Sequence, residues 1–133
     1  MTRLAAPPES TRWWPEAGGG KPLRQRVAED DAALAEAFRA GEPVEGLVAA
    51  RAWVVERGVL EAWAAATGSR NDLALLAVGG FGRGELFPRS DVDLLVLAAG
   101  ALGAEAAAPI ERFFARLWDE GLNVGHAVRT AEE

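Results

Sequence analysis

The stretch Leu73–Leu97, LALLAVGGFGRGELFPRSDVDLLVL, decides how this chain folds. It opens on Leu73–Val78, a continuous apolar run too short for a typical helix and cut off at Gly79 and Gly80, which reads as a buried strand. It closes on Asp91–Leu97, DVDLLVL, a second such run with two carboxylates at its start. Between the two runs the chain must turn back on itself. Side chains alternate along a strand, so this reading sets Asp91 and Asp93 on one face and Val92 on the other. Two carboxylates held that close oppose each other's ionisation unless a cation neutralises them. Mg²⁺ is commonly held by one or two carboxylates together with substrate phosphates, so the pair suits a metal-nucleotide complex. At Gly79 and Gly80 the missing Cβ atoms let backbone N–H groups approach a triphosphate, while Arg83 adds a positive charge and Ser90 a hydroxyl.

Two common glycine motifs fail on this stretch. A dinucleotide fingerprint aligned on Gly80 and Gly82 puts Glu85 where the third glycine belongs, with a negative charge close to the pyrophosphate. A phosphate-binding loop started at Gly79, with Gly84 as its second glycine, has Glu85 and Leu86 where Lys and Ser or Thr are required. An isolated Asp-x-Asp is a frequent coincidence at a solvated strand end. Its combination with a double glycine ending the preceding strand is what carries the reading.

Outward from this core, Val44–Ala66 places Leu47, Val54, Leu60 and Trp63 at helical spacing, with Gly58 as a site for a bend. Pro22–Ala40 does the same with Leu23, Val27, Leu34 and Phe38, and Gly41 stands at the stop. Downstream, Glu105–Glu120 carries Ile110, Phe113, Phe114, Leu117 and Trp118 on one helical stripe, read as core, before Gly121. Leu122, Val124, His126 and Val128 then alternate as a third strand would. Residues 1–20 hold Pro7, Pro8, Pro15 and Gly18–Gly20, a density of breakers expected of a tail, in which Trp13 and Trp14 are read as docking on the domain. The organisation expected is a tail over 1–20, a helical region over 21–67 and an α/β core over 68–133, a small mixed sheet with flanking helices.

With 133 residues, the chain allows one domain with a real core. A formal net charge of -6 argues against nonspecific nucleic-acid binding. The absence of Cys excludes disulfides, a Cys-based zinc site and a thiol nucleophile, and a single His excludes a multi-histidine metal site. No apolar run approaches the roughly 18 residues that span a bilayer, and the start MTRLAAPPES lacks the apolar core of a signal peptide, so a cytoplasmic protein without membrane partners is expected. His126, lone on an apolar face, reads as a structural residue rather than a catalyst. Glu85 reads as an anchor of the glycine loop, paired with Arg83.

AVGGFGRGELFPRSDVDLLVL resembles the signature of the nucleotidyltransferase superfamily, an apolar residue and Gly-Gly or Gly-Ser followed by an acidic pair spaced by one apolar residue. Within it the stretch is similar to the transferase domain of the bifunctional uridylyltransferase/uridylyl-removing enzymes that act on signal protein PII. LWDEGLNVGHAVRTAEE at Leu117–Glu133 is similar to the segment that follows in that family, so the resemblance covers about residues 73–133. It implies that Gly79 and Gly80 border the nucleotide phosphates with Ser90 beside them, and that Asp91 and Asp93 ligate Mg²⁺ and are catalytic. The implied reaction is transfer of UMP from UTP to a tyrosine hydroxyl of PII, releasing pyrophosphate. This chain has no Tyr, so the acceptor comes from another molecule.

The chain departs from the resembled pattern in one respect. The third carboxylate usual in the superfamily would fall beyond the point matched by Glu133, and Asp119 and Glu120, at a helix end, are poor substitutes. A fragment is therefore expected, binding Mg-nucleotide but impaired in transfer unless another chain completes the sheet through the edge of the last strand. The alternatives are a small stand-alone nucleotidyltransferase of toxin-antitoxin type, whose signature lacks the GELFP insertion, and a noncatalytic nucleotide-binding or interaction module.

Overall fold

The computed structural model describes residues 23–68, 70–87, 90–100 and 103–130; the expected tail with Trp13 and Trp14 lies outside them. Two helices come first, α1 (Leu23–Arg39) and α2 (Val44–Thr67), then β1 (Leu73–Ala77), a single helical turn α3 (Gly79–Gly82), β2 (Val92–Ala98), α4 (Ala104–Asp119) and β3 (Val124–Thr130). The architecture is mixed α/β. Gly41 and Gly121 follow the ends of α1 and α4, as their sequence positions require. α2 runs as one helix through Gly58, which is buried.

The three strands form one sheet in the order β1-β2-β3. β1 and β2 are antiparallel, Leu75 opposite Val96, which is the return that the two apolar runs demanded. β2 and β3 are parallel, as α4 carries the chain back across the sheet before β3. Val92 is in register with Val124, Asp93 with Gly125 and Leu94 with His126.

One face of the sheet is covered. Leu75, Val92, Leu94 and Val96 join Val55, Val59 and Ala62 of α2 and Ile110, Phe113 and Leu117 of α4 in a single core. Phe113 is fully enclosed and meets Trp63 edge-on, with ring centroids 5.0 Å apart. At about 25 cal/mol per Å² of apolar surface removed from water, side chains of this size each contribute roughly 1.5–3 kcal/mol. The stripe of α2 that enters the core includes Val55, Val59 and Ala62, whereas Val54 and Leu60 are only half-buried and Trp63 packs at its margin. Trp118 is likewise no core residue: it is 47% exposed and caps the end of the stripe against Phe114 and His126.

On the opposite face, Asp93, Leu95 and Leu97 alternate with the buried positions of β2 and remain half-exposed. A second, smaller cluster of Leu34, Ala37, Leu47 and Ala50 joins α1 to α2. Arg51 crosses that junction, its Nε donating to Asp31 Oδ1 at 2.9 Å. Among the described residues no helix is long and apolar enough to cross a membrane.

Candidate nucleotide and metal site

The site is built where β1 stops. Gly79 has φ +62, a left-handed conformation that an L side chain rarely adopts, and it starts the one-turn helix α3. Gly82 N–H closes that turn on Val78 O at 3.0 Å, and Glu85 N–H bonds Gly80 O at 2.9 Å, so the glycine run is wound tightly rather than looped out. Phe81, 1% exposed, anchors the turn in the main core. Leu86 anchors the next segment: its side chain is buried and its N–H donates to Val48 O of α2 at 3.1 Å. Two apolar plugs thus fix the chain segment that carries Arg83 and Glu85.

β2 delivers the carboxylates. It begins at Val92, so Asp91 stands one residue ahead of the strand and is exposed, while Asp93 lies within it and is half-buried. Strict alternation therefore describes Asp93 but not Asp91. Both nevertheless line one cleft of about 320 Å³, with Gly80, Arg83, Glu85, Leu86, Phe87 and Ser90 among its walls. Of the residues expected at a nucleotide site, Gly80, Arg83, Ser90, Asp91 and Asp93 share this cleft. Gly79 joins them through Asp93, since a Cβ at Gly79 would stand 2.8 Å from Asp93 Oδ2.

Arg83 and Glu85 are both exposed, and no ion pair joins them among the described residues, so the pairing expected there is not formed. The Arg83 guanidinium instead lies over Gly80, with Nη2 3.8 Å from where its Cβ would be. Glu85 faces the same cleft as the aspartates. Three carboxylates against one guanidinium make this wall attractive to a cation.

His126 lies on the other side of the sheet. Its register partner is Leu94, whose face is the covered one, and its ring packs on Phe114 and Trp118 at 4.8 and 5.3 Å between centroids. The residue is exposed, stacked at the border of the core instead of enclosed in it. The site residue that sequence reasoning missed is Gly125, which faces Asp93 across the parallel pair: a Cβ there would overlap Asp93 Oδ1. Its signal was present in GHAVRT, but its meaning depends on a long-range register.

A fit for Mg²⁺ can be tested on this geometry. Asp93 sits in a cradle that side chains at Gly79 or Gly125 would fill, and Asp91 and Asp93 supply hard oxygen donors on the same cleft. Among the described residues no group of three or more acidic or imidazole side chains is gathered as a metal site, so protein ligands alone do not complete a shell. Two carboxylates with room left for phosphate oxygens fit a metal that arrives with a nucleotide.

A small mixed sheet covered by helices on one side, with a glycine turn and paired aspartates meeting at one end, is a nucleotidyltransferase-like core. The chain is homologous to one segment of the bifunctional uridylyltransferase/uridylyl-removing enzymes. It is 48% identical to that of Pseudomonas putida over 101 residues, 75% of this chain and 11% of the relative. It is 46% identical to that of Xanthomonas axonopodis over 114 residues, 86% of this chain and 13% of the relative. With the enzyme of Xanthomonas campestris the identity is 48% over 107 residues, 80% of this chain and 12% of the relative. The chain thus spans about an eighth of the length of the curated relatives it matches. No family model matches it, and no solved structure does.

Proposed function

We propose that this chain binds Mg-UTP in the cleft between the glycine turn and β2, as the uridylyl-transfer domain of its relatives. The observation that carries the reading is the gathering of Gly80, Arg83, Ser90, Asp91 and Asp93 on one cleft, with Asp93 cradled against Gly79. About 320 Å³ lies at the low end of the roughly 300–1,000 Å³ of ligand sites, which suits the triphosphate end of a nucleotide more than a whole one.

In this reading Asp91 and Asp93 hold Mg²⁺, which supplies charge neutralisation to the phosphates when bound. Arg83 orients phosphate oxygens as a fixed positive charge, and Ser90 donates its hydroxyl. The glycine turn lets the backbone come close to them, because no Cβ intervenes. The acceptor oxygen, a tyrosine hydroxyl of PII, gives up its proton to solvent and forms a bond to the α-phosphorus while the α–β phosphoanhydride bond breaks and pyrophosphate departs. These side chains work mainly by positioning and by offsetting charge, the two effects on which phosphoryl-type transfer depends most.

A second reading, nucleotide binding without transfer, is favoured by one specific observation: although Glu85 lines the same cleft, among the described residues no three acidic side chains come together as a group that could hold a metal ion. The outer edge of β3, which pairs with no described strand, is where a further strand would be added in an active assembly. Titration with UTP in the presence and absence of Mg²⁺, followed by incubation of labelled UTP with PII, separates the readings. Metal-dependent binding with label on PII supports transfer, and metal-dependent binding without label supports the binding module. Absence of binding in both conditions would sink both.

A further inference from the structure

Gly125 occupies the interior of β3, where a glycine weakens a strand and has no conformational reason to be. Its φ lies outside the left-handed region, in contrast to Gly79, so the backbone itself accepts any residue. What a Cβ there would require is that the Asp93 side chain move aside. Gly125 is the parallel register partner of Asp93, and a Cβ built on it overlaps Asp93 Oδ1. From the other neighbouring segment, a Cβ on Gly79 would stand 2.8 Å from Oδ2 of the same carboxylate. Asp93 is therefore bracketed edgewise, one oxygen against each of two residues that lack side chains.

We infer that Gly125 is a positioning residue: by leaving space on β3 it sets the orientation of the Asp93 carboxylate toward the metal-nucleotide cleft. The inference deepens the proposed function and, for its ligand, rests on that reading. The physical basis is simple. A carboxylate confined between two backbones has fewer rotamers to lose on ligation, and a displaced one presents its oxygens in the wrong direction. A methyl at position 125 evicts the carboxylate, while the apolar core on the opposite face keeps its side chains.

The test uses the full chain in four forms: unaltered, Gly125→Ala, Asp93→Ala and the double variant. Thermal unfolding should show Gly125→Ala lowering Tm by several degrees when Asp93 is present and leaving it unchanged or raised when Asp93 is Ala. A Gly125→Ala chain that fails to fold alone but folds in the double variant supports the inference equally. Mn²⁺ binding in the presence of UTP, read by electron paramagnetic resonance, should weaken at least tenfold in Gly125→Ala, and a crystal structure of that variant should show Asp93 in a different rotamer. Equal Tm losses in both backgrounds overturn the inference, as does Asp93 unmoved with Mn²⁺ affinity unchanged. If the unaltered chain takes up no Mn²⁺ with UTP, the nucleotide reading fails, while the Tm comparison still decides whether Gly125 makes room for Asp93.

Discussion

Asp93 Oδ2 lies where a side chain on Gly79 would have to go, 2.8 Å from the position of its Cβ. The end of β1 and the start of β2 are thus shaped to one another around a carboxylate. Gly79→Ala introduces two faults at once. The residue must hold φ +62, which costs a non-glycine roughly 1–2 kcal/mol, and its methyl displaces Asp93. We expect chemical denaturation to show a loss of about 1–3 kcal/mol together with loss of metal-dependent UTP binding. Full stability and full binding in this variant would contradict the arrangement.

The two aspartates should not respond equally to neutralisation. Asp93 is half-buried within β2 and confined by its neighbours, whereas Asp91 is exposed ahead of the strand and free to turn. Asp91→Asn is expected to weaken Mg-dependent UTP binding by about tenfold and Asp93→Asn by about a hundredfold, measured calorimetrically. Neither side chain makes a hydrogen bond or ion pair among the described residues, so stability should stay within about 0.5 kcal/mol of the unaltered chain. A larger loss with Asp91→Asn than with Asp93→Asn would reverse their roles.

Much of this is legible before any coordinates. Leu73–Val78 and Asp91–Leu97 declare themselves as strands because each is a short apolar run bounded by residues that cannot continue it. The breakers between them end the first run, and the chain turns back over residues 78–91 to form the antiparallel pair. The stripe of α2 is harder. In an alanine-rich helix the side that packs closest is marked by small residues, so Val55, Val59 and Ala62 face the sheet while the bulkier Trp63 takes the margin, edge-on to Phe113. Trp118 misleads in the same way, as its size suggests core but its place at the end of α4 sets it against His126 at the border. Asp91 falls outside β2, so strand alternation describes Asp93 but not Asp91, although both line one cleft. Gly125 is visible in GHAVRT as a glycine within a strand pattern, but its place opposite Asp93 exists only once β2 and β3 are set in register.

Arg51 offers a test of how the helical pair is held to the core. Its side chain is nearly enclosed, with Nε donating to Asp31 Oδ1 at 2.9 Å, Nη2 reaching Oδ2 at 3.5 Å, and Nη1 buried without a partner. Asp31 is the more exposed member of the pair, at 36% against 8% for the Arg51 side chain. Asp31→Ala strands a buried charge, and after allowance for the exposed partner the expected cost is about 2 kcal/mol. Arg51→Met is gentler. The released carboxylate turns to water, and the methionine joins Leu34, Leu47 and Val48, which line the same apolar hollow, for a loss below about 1 kcal/mol. Urea unfolding of both variants checks the order, and a greater loss with Arg51→Met would show that the guanidinium contributes through packing instead of its charge.

The turn from α2 into β1 carries the pH dependence. Arg70 Nε and Nη2 donate to the two oxygens of Asp72 at 3.0 and 2.6 Å, and Nη1 donates to Glu105 O at 3.0 Å, tying the start of β1 to the first turn of α4. The hydrogen bond from Arg70 holds the Asp72 carboxyl below the ordinary carboxylate value, and the same pairing holds the guanidinium above its own, where it stays charged throughout the accessible range. A carboxyl depressed in the folded state binds its proton more weakly there than in the unfolded chain. Its contribution is therefore complete above the unfolded value, near pH 4, and is lost as pH falls through the lower folded one. The pair is open to solvent, so salt weakens it. Thermal unfolding should accordingly show Asp72→Asn below the unaltered chain by a margin that is constant between about pH 5 and pH 8, narrows below about pH 4, and is smaller at high salt. A margin that widens as the pH falls would mean that Asp72 is stabilised by something other than its charge on Arg70.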